Sequence, residues 1–349
     1  MKDFRNYSLK AHNTFGIDAK CRRFIEFEDD DEAVEVAKIL RESATPYIII
    51  GGGSNLLLTK DFDGIVVRSG IKGHCFEESG DRSQESGDGS QETVVRMTCG
   101  SGEVWDDMVA TSIKAGYYGM ENLSLIPGDV GASAVQNIGA YGVEASDLIL
   151  CVWMIEIPTG KPWMITNEDC EYGYRQSRFK QDWKNRFLIT RVAYGLKRTF
   201  QPHLDYGNIR QELERRGIQE PTAQQLREVI IDIRNAKLPD PKVEGNAGSF
   251  FMNPIVTRQK YEMLAAQYPA MPHYEVDASH EKIPAGWMIE QCGWKGKSLG
   301  RAGVHDKQAL VLVNRGGATG AEIVALCDAI RKDVKAKFDI DIHPEVNII

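Results

Sequence analysis

Residues 123–144 read LSLIPGDVGASAVQNIGAYGVE, a glycine-rich stretch in the first half of the chain. The residues of interest in it are Gly128, Gly131, Ser133, Gln136, Asn137, Gly139 and Gly142. Glycine lets the backbone approach a ligand closely, and exposed backbone N–H groups bind anions. We interpret the stretch as part of a site for a pyrophosphate-bearing cofactor, although two tight turns needed only for packing explain the glycines equally well.

A second glycine loop, GGGSN at residues 51–55, follows a predicted buried strand at residues 47–50. Its glycines are contiguous, and the run beginning at Leu56 favours a strand over a helix, so the loop is not a dinucleotide-binding fingerprint. It can still form an anion-binding nest, although a simple turn explains it more often. Asp129 would repel a pyrophosphate, so we expect its side chain to point away from any phosphate.

The hydrophobic pattern predicts a chain that mixes α and β structure. A β-α-β unit at residues 24–27, 31–40 and 47–50 predicts a small parallel sheet, with a further strand at 64–68. Strands at 149–157, 163–165 and 187–196 predict an antiparallel middle portion. Further helices are predicted at 104–113, 222–234, 257–268 and 285–292 and after the capping box of Thr319 and Glu322. Strands are predicted at 309–313 and from residue 339, where Pro344 ends the last strand.

A tandem repeat separates two of these predicted elements. Residues 78–84 read ESGDRSQ and residues 85–91 read ESGDGSQ. The repeat is polar and has no apolar face, so it cannot bury enough surface to order itself. We predict a mobile loop between the strands near Ile65 and Val95, without a role in function.

The bulk composition excludes several classes of function. The 349 residues carry 42 basic and 50 acidic side chains, a net charge of −8, which argues against a nucleic-acid partner. No run is apolar enough to span a bilayer, and residues 1–10 lack a signal-peptide core. The seven cysteines form no CxxC pair, and the histidines form no metal cluster. We therefore expect a cytoplasmic protein without nucleic acid, membrane or metal.

The sequence GNAGSFFMNP begins at Gly245. We expect Gly245 and Gly248 to let the Ser249 hydroxyl reach a flat ligand, and Phe250 and Phe251 can wall this place off from water. On this stretch alone, a tight turn before an edge strand is the better interpretation. Elsewhere Arg175 can bind a carboxylate in two-point fashion, and Glu345 follows the last predicted strand. The polar candidates for holding a phosphate or sugar are Tyr206, Lys237, Asn253 and Gln308.

Seven motifs occur together in a fixed order. They are NTFG (13–16), GGGSN (51–55), IPG…QNIGAYG (126–142), GYR (173–175), KLPDP (237–241), GNAGSFF (245–251) and HPE (343–345). The set closely resembles the UDP-N-acetylenolpyruvoylglucosamine reductase family, in its type I form, and the match covers nearly the whole chain. The QNIGAYG and GNAGSFF blocks are specific, whereas GGGSN alone is not.

The resemblance implies an α+β fold with non-covalent FAD in a two-part domain of the vanillyl-alcohol-oxidase (PCMH) type. The first part would span residues 1–68, and the second residues 69–234 together with a returning C-terminal strand at 336–349. A smaller α+β substrate-binding domain would span residues 235–335. The FAD-binding residues that the resemblance implies are Gly51, Gly52, Gly53, Ser54, Asn55, Ile126, Pro127, Gly128, Gly131, Ala132, Ser133, Asn137, Gly139, Ala140, Tyr141 and Gly142.

The resemblance also implies an NADPH-dependent, FAD-mediated reduction of UDP-N-acetylglucosamine enolpyruvate to UDP-N-acetylmuramate, a step in peptidoglycan precursor synthesis and so in cell-wall biogenesis, cell shape and division. Hydride would reach the terminal carbon of the enolpyruvyl group. Arg175 and Glu345 would stabilise the resulting charge, and Ser249 would donate the proton. Tyr206, in the loop that covers substrate in type I members, and Lys237, Asn253 and Gln308 would hold the substrate. We expect a monomer. The repeat at residues 78–91 departs from the family pattern, and we expect it to extend a surface hairpin and leave the site untouched.

Two other functions remain open at this point. A flavin oxidase or dehydrogenase of the same fold, acting on a hydroxy acid or sugar alcohol, would need a base near the flavin, and neither QNIGAYG nor GNAGSFF contains a histidine. A non-catalytic sugar-nucleotide binding module would not need Ser249, Arg175 or Glu345, and it would carry no flavin.

Overall fold

The computed structural model describes residues 1–85 and 91–349. The described chain divides into two compact units. The first unit comprises Met1–Tyr7, Cys21–Gly52 and Asp63–Arg234. The second unit comprises Ser8–Lys20, Gly53–Phe62 and Asn235–Ile349.

The described residues form α-helices and strands in alternation. The helices are α1 (Asp30–Glu42), α2 (Trp105–Lys114), α3 (Val130–Gln136), α4 (Ile209–Arg215), α5 (Ala223–Lys237), α6 (Arg258–Gln267), α7 (Ala285–Gln291) and α8 (Gly320–Phe338). The strands are β1 (Lys2–Ser8), β2 (Lys20–Phe27), β3 (Tyr47–Ile50), β4 (Leu56–Leu57), β5 (Phe62–Ser69), β6 (His74–Glu85), β7 (Gln91–Gly100), β8 (Gly139–Ala140), β9 (Val143–Glu144), β10 (Ile149–Glu156), β11 (Pro162–Thr166), β12 (Phe187–Lys197), β13 (Gly245–Asn246), β14 (Ile255–Thr257), β15 (Tyr274–Asp277), β16 (His280–Lys282), β17 (Ser298–Leu299), β18 (Ala302–Val304), β19 (Leu312–Asn314) and β20 (Asn347–Ile348).

The N-terminal sheet has the strand order β1-β2-β5-β3, and β3 pairs in parallel with β5. The predicted β-α-β unit is therefore present, with β5 lying between its two strands. Helix α1 begins at the cap residue Asp29, whose side chain accepts a hydrogen bond from Glu32 N–H. Its buried stripe, Ala33, Val36, Ala37 and Leu40, packs with sheet residues in one core cluster.

The larger sheet of the first unit has the order β11-β10-β12-β7-β6, and every pair in it is antiparallel. The predicted antiparallel middle portion is confirmed. Its core contains Trp105 from α2 in edge-to-face contact with Tyr194 from β12, with ring centroids 5.5 Å apart. Helix α3 packs on the same strand, so this core fixes the position of the 123–144 stretch.

The polar repeat differs from its prediction as a mobile loop but extends a hairpin, as expected from its departure from the family pattern. Residues 78–85 continue β6, residue 91 begins β7, and the two strands pair as a hairpin. An antiparallel ladder satisfies backbone N–H and C=O groups without an apolar face, and this local pairing was invisible to a composition argument. Residues 86–90, at the centre of the repeat, lie outside the described residues.

The second unit is built on a sheet of order β13-β19-β18-β17 and a smaller sheet of order β14-β16-β15. Helix α8 begins with the predicted capping box, in which Thr319 Oγ1 accepts from Glu322 N–H and Glu322 accepts from Thr319 N–H. The predicted stripe on α8 is buried and comprises Ile323, Leu326, Cys327, Ile330 and Val334.

The C-terminal segment differs from its prediction. We expected a short strand that begins at residue 339 and ends at Pro344, in a C-terminal segment (336–349) that returns to the second FAD-binding part. The described strand is β20, and it pairs in parallel with β4 in the second unit. Pro344 has no N–H group to give to a ladder, so regular pairing begins only after it. Thr59 N–H, just beyond β4, then donates to Ile349 O at 2.7 Å.

The second unit combines early and late parts of the chain. The structure divides the chain between Arg234 and Asn235, and residues 8–20 and 53–62 belong to the second unit. Backbone bonds explain this grouping, since Thr14 N–H donates to Gly53 O at 3.1 Å and Asn246 N–H donates to Thr14 O at 3.0 Å.

Two searches of residues 1–85 and 91–349 gave negative results. Within this part of the chain, no helix has the length and apolarity needed to cross a bilayer. The same residues contain no group of three or more His, Cys, Asp or Glu side chains that could hold a metal ion.

Candidate active site

The first unit brings the two glycine stretches into direct contact. A Cβ atom on Gly51 would lie 3.1 Å from Ala132 Cβ, and one on Gly52 would lie 3.2 Å from Gly128 Cα. The absence of side chains at residues 51 and 52 therefore lets this loop rest on the start of α3. Gly131 has a packing role as well, because its Cβ atom would lie 2.9 Å from Ser101 Cβ.

The N-terminus of α3 carries a buried ion pair. Asp129, its cap residue, accepts from Arg68 at 3.1 Å, and Arg68 also reaches Glu26 at 3.2 Å. Burial raises the pKa of Asp129 above its usual value, and Arg68 opposes this shift. The Asp129 carboxylate is thus directed at an arginine, and its charge is compensated within the protein.

Asn137 ends α3 in the left-handed conformation, with φ +42°. Its buried side chain donates to Glu144 Oε2 and Gly173 O, and its Oδ1 accepts from Ser146 N–H. The Ser133 hydroxyl is also internal, 2.7 Å from the Tyr194 hydroxyl. These two side chains therefore hold the stretch together.

Arg175 lies beside this stretch, as its predicted role requires. It has a positive φ of +56° in a tight turn. Its guanidinium group donates to Gly139 O at 2.6 Å and to Asn137 O at 3.2 Å. These two bonds fix the plane of the guanidinium group next to β8.

Tyr141 and Tyr206 are brought together in the first unit. Their rings meet edge to face with centroids 6.5 Å apart, and Tyr206 is exposed. The carbonyl group of Tyr141 accepts from Asn122 Nδ2 at 2.9 Å, which anchors the turn that Gly142 completes with φ +80°. Ile126 and Ala140 pack against the core of this unit, and Pro127 is exposed.

Arg234 is a residue that our sequence reasoning missed. It lies on the buried face of α5, eight residues after Leu226 and four after Ile230, and its Nε has no partner among the described residues. Burial lowers its pKa, and Tyr141 and Asp106 oppose this shift. An arginine in register with an apolar helical stripe was the available signal.

The second unit places the Ser249 and Glu345 segments side by side. Glu345 N–H donates to Phe250 O at 2.8 Å, and Met252 N–H donates to His343 O at 3.0 Å. Asn55 Nδ2 reaches the Glu345 carbonyl group at 3.3 Å. The Ser249 side chain is exposed, and its hydroxyl has no hydrogen-bond partner in the part of the chain that the structure describes.

The structure gives the two glycines near Ser249 roles in the fold. A Cβ atom on Gly245 would lie 2.3 Å from Phe15 O, so this glycine is required by backbone packing. Gly248 has φ +68°, a conformation that favours glycine, and a Cβ atom there would meet open space. That the glycines also let the Ser249 hydroxyl reach a ligand stays a prediction.

Phe250 and Phe251 belong to the core rather than to a wall around the site. Both are essentially buried, at 0% and 1% exposed, and their rings meet at 5.2 Å. Phe250 also contacts the ring of Phe15 at 6.2 Å. The aromatic pair therefore packs behind the Ser249 segment and stiffens it.

Two of the remaining polar candidates of the second unit, Asn253 and Gln308, lie at α7. Asn253 Oδ1 accepts from Ala285 N–H at 2.9 Å at the first residue of the helix. A Cβ atom on Gly286 would lie 3.1 Å from Gln308 Oε1, so Gln308 packs on the same turn. Lys237 is exposed at the end of α5.

Comparisons with known proteins agree with this arrangement. Residues 22–164 match the FAD binding domain family, and residues 240–349 match the C-terminal domain of UDP-N-acetylenolpyruvoylglucosamine reductase. The reductase of that name from Bacteroides fragilis is 53% identical over 347 residues, which cover 99% of each chain. The one from Pseudomonas putida is 44% identical over 342 residues, covering 98% of this chain and 97% of the relative. This chain belongs to the UDP-N-acetylenolpyruvoylglucosamine reductase family.

A solved member of the family has the same fold. The crystal structure of UDP-N-acetylenolpyruvylglucosamine reductase from Thermus caldophilus matches with a TM-score of 0.65 and covers 99% of this chain and 98% of its own. Its sequence identity is 20%. The predicted α+β fold with an FAD-binding domain is confirmed, and the chain is a flavin-dependent oxidoreductase whose cofactor is FAD.

The residues of the family's FAD-binding domain fit such a group. No backbone carbonyl group in the described ranges accepts from the N–H groups of Gly52, Gly53 or Asn55. The buried Gln136 Oε1 at the end of α3 also has no partner in residues 1–85 and 91–349. Unpaired donors at a glycine loop suit a pyrophosphate, and an unpaired buried acceptor suits a ligand N–H or O–H group.

Proposed function

We propose that this chain reduces UDP-N-acetylglucosamine enolpyruvate to UDP-N-acetylmuramate, with NADPH as the source of reducing power. The observation that carries the proposal is the pairing of the Ser249 and Glu345 segments within the C-terminal domain of the family. It supplies an exposed hydroxyl group and a carboxylate on neighbouring segments that backbone hydrogen bonds hold together. Such a pair suits the protonation of a carbon next to a charged group.

FAD, when bound, supplies the hydride that reaches the terminal carbon of the enolpyruvyl group. The adjacent carbon and its carboxylate then carry additional negative charge. Arg175 stabilises this charge, because its guanidinium group is fixed by the carbonyl groups of Asn137 and Gly139 and needs no reorganisation. Glu345 polarises the other side of the enolpyruvyl group.

Ser249 donates the proton that completes the reduction. A serine hydroxyl is a weak acid in water, but a carbanion-like carbon is a strong base and the proton moves over a single contact. The exposed Ser249 hydroxyl, on a segment fixed at Gly248 and Phe250, suits this role. The oxidase alternative requires a base for hydroxyl oxidation, and neither QNIGAYG nor GNAGSFF contains a histidine that could serve as one.

We assign separate sets of residues to the binding of FAD and of the substrate. Residues 51–55, 126–128, 131–133, 137 and 139–142 hold FAD. Tyr206, Lys237, Asn253 and Gln308 hold the diphosphate and sugar portions of the substrate. We further propose that the enzyme acts as a monomer in the cytoplasm, where its seven free thiols stay reduced.

The test is an assay of the purified protein. We expect bound flavin in the absorption spectrum, reduction of this flavin by NADPH, and its reoxidation by UDP-N-acetylglucosamine enolpyruvate. NADPH oxidation that proceeds equally well without the enolpyruvyl substrate would contradict the proposal. Flavin reduction by hydroxy acids or sugar alcohols in the absence of NADPH would favour the oxidase alternative.

A further inference from the structure

Asn246, which the proposed function leaves without a role, is a buried polar residue three positions before Ser249. It lies in β13 and is 3% exposed. Its backbone N–H donates to Thr14 O at 3.0 Å, and Thr14 Oγ1 donates to its carbonyl group at 2.5 Å. Its neighbour Gly245 pairs with Asn314 of β19. The main chain of Asn246 is therefore fixed from two sides.

The side chain of Asn246 uses its full set of donors. Nδ2 donates to Glu244 O at 2.9 Å and to Pro239 O at 3.2 Å, and Oδ1 accepts from Gly248 N–H at 2.9 Å. A buried amide with all of these bonds holds one orientation, because every alternative leaves buried groups unpaired.

These bonds join two segments that carry proposed site residues. Pro239 lies two residues after Lys237, and Gly248 directly precedes Ser249. We propose that Asn246 is a positioning residue, which fixes the proton-donor hydroxyl of Ser249 and ties its segment to that of Lys237. The inference rests on the proposed function, in which Ser249 protonates the substrate.

The Ser249 segment depends on this anchor. Phe250, on its far side, is held by Leu310 O and by Glu345 N–H. On the N-terminal side of Ser249, Gly248 has φ +68°. Its N–H group donates to Asn246 Oδ1, and this hydrogen bond holds the Gly248 backbone in place. A glycine without that bond populates φ values of both signs, and the Ser249 hydroxyl would move with it.

The isosteric variant Asn246→Asp tests the proposal. It keeps an acceptor for Gly248 N–H but directs carboxylate oxygen atoms at the carbonyl groups of Pro239 and Glu244, where donors are required. Misplacement of a catalytic group by 1 Å costs about 100-fold in rate. We expect a loss of about that size in flavin reoxidation by the enolpyruvyl substrate, with NADPH-dependent flavin reduction and the flavin spectrum unchanged.

Asn314→Asp is the matched control. Asn314 has the same chemistry in the adjacent strand, since Nδ2 donates to Phe15 O at 3.0 Å and Oδ1 accepts from Gly316 and Ala318 N–H. It anchors the loop before α8 rather than the Ser249 segment. We expect both variants to melt at a lower temperature than the wild type, and only Asn246→Asp to lose reoxidation.

Equal reoxidation rates in the two folded variants would overturn the positioning role, whereas failure of the wild type to react with the enolpyruvyl substrate would overturn the proposed function instead.

A measurement on the wild type covers the case in which Asn246→Asp does not fold. Amide hydrogen exchange should be as slow at Gly248 as at Phe250. Exchange at Gly248 at the rate of an unstructured peptide would show that the hydrogen bond from Gly248 N–H to Asn246 Oδ1 does not hold this segment.

Discussion

At the scale of single residues, the hydroxyl of Ser249 and the guanidinium group of Arg175 are held in opposite ways. Arg175 is fixed through its own side chain, by the carbonyl groups of Asn137 and Gly139. Ser249 is fixed through the backbone on either side of it. Substitution at Ser249 should therefore remove chemistry, and substitution at Arg175 should remove chemistry and local order together.

Replacing Ser249 with alanine should leave NADPH-dependent flavin reduction intact. Flavin reoxidation by the enolpyruvyl substrate should fall about 10²- to 10⁴-fold, the usual contribution of a positioned general acid. Stopped-flow absorbance separates the two half-reactions. Ser249→Cys, which keeps a proton donor, should recover part of the rate, and an equal loss in both half-reactions would eliminate the proton-donor role.

Replacing Arg175 with lysine should be poorly tolerated. An ammonium group is a compact charge that cannot span the carbonyl groups of Asn137 and Gly139 with one planar group. We expect the reoxidation rate to fall at least about 100-fold, as for loss of one charge-stabilising donor. Titration of FAD into the apoprotein, followed by flavin fluorescence, should show weaker binding, and wild-type reoxidation kinetics would count against the role.

The sequence alone could reveal the roles of some residues but not of those whose partners are distant along the chain. The ordered set of motifs picked out Arg175, Ser249 and Glu345, each of which is better interpreted on its own as a surface or turn residue. The motifs did not reveal that Gly245 is required by the backbone of Phe15, because residues 230 positions apart in sequence meet only in the folded chain. For the same reason Asn246, whose partners are mostly backbone carbonyl groups, gave no signal.

At the scale of elements, α2 and α5 are joined by an ion pair. Arg227 donates to both carboxylate oxygen atoms of Asp106, at 2.7 and 2.9 Å. Asp106 also accepts from Leu125 N–H, at the start of the loop that leads to α3. Burial alone would raise the pKa of Asp106, but the bonds from Arg227 and Leu125 outweigh it, and the pKa is lowered.

This pair predicts a pH-dependent contribution to stability. A lowered pKa in the folded state stabilises the fold above the unfolded-state pKa, about 3.9, and the contribution is lost as the pH falls through the folded-state value. Asp106→Asn should lower the free energy of unfolding by about 2 kcal/mol at pH 7 and by much less near pH 3. Urea unfolding of the wild type and of Asp106→Asn at both pH values measures this difference in the free energy of unfolding.

Asp107→Asn is the control for this prediction, because Asp107 is the next residue of α2 and is exposed. It should have little effect at either pH. A cost of Asp106→Asn that stays constant between pH 7 and pH 3 would contradict the assignment of the lowered pKa to the ion pair.

Elements with a clear apolar period were predicted well, as α1, α8 and the strands β10 and β12 illustrate. Elements whose existence depends on a partner strand were not. The hairpin of β6 and β7 is polar along the repeat, and β20 forms because β4 offers an unpaired edge. Period and composition describe one segment, whereas strand pairing is a property of two segments.

At the scale of the whole molecule, the second unit is assembled from three separate stretches of chain. Strand β4 pairs with β20, and a Cβ atom on Gly320 would lie 2.0 Å from Leu58 O, so the segment after β4 is pressed against the start of α8. The sequence predicted a boundary at residue 235, but it could not predict that two early stretches cross it.

Deleting residues 347–349 should impair the enzyme through Glu345. The deletion removes β20 and the bonds of Ile349 with Leu57 and Thr59, so the backbone after Glu345 loses its anchor. We expect a lower melting temperature and slower flavin reoxidation by substrate, with flavin still bound. Asn347→Ala removes only a side-chain bond to Asn55 O and should behave as the wild type. Unchanged kinetics after the deletion would show that β20 does not support Glu345.

The three-stretch construction of the second unit also has a consequence for synthesis on the ribosome. Asn55 and Glu345 are 290 residues apart in sequence, so translation at 5–20 residues per second separates their emergence by about 15–60 s. Throughout that interval the apolar run at Leu56, Leu57 and Leu58 has no native partner strand. We expect the nascent chain to depend on chaperones that shield this run, and the second unit to form only when translation is nearly complete.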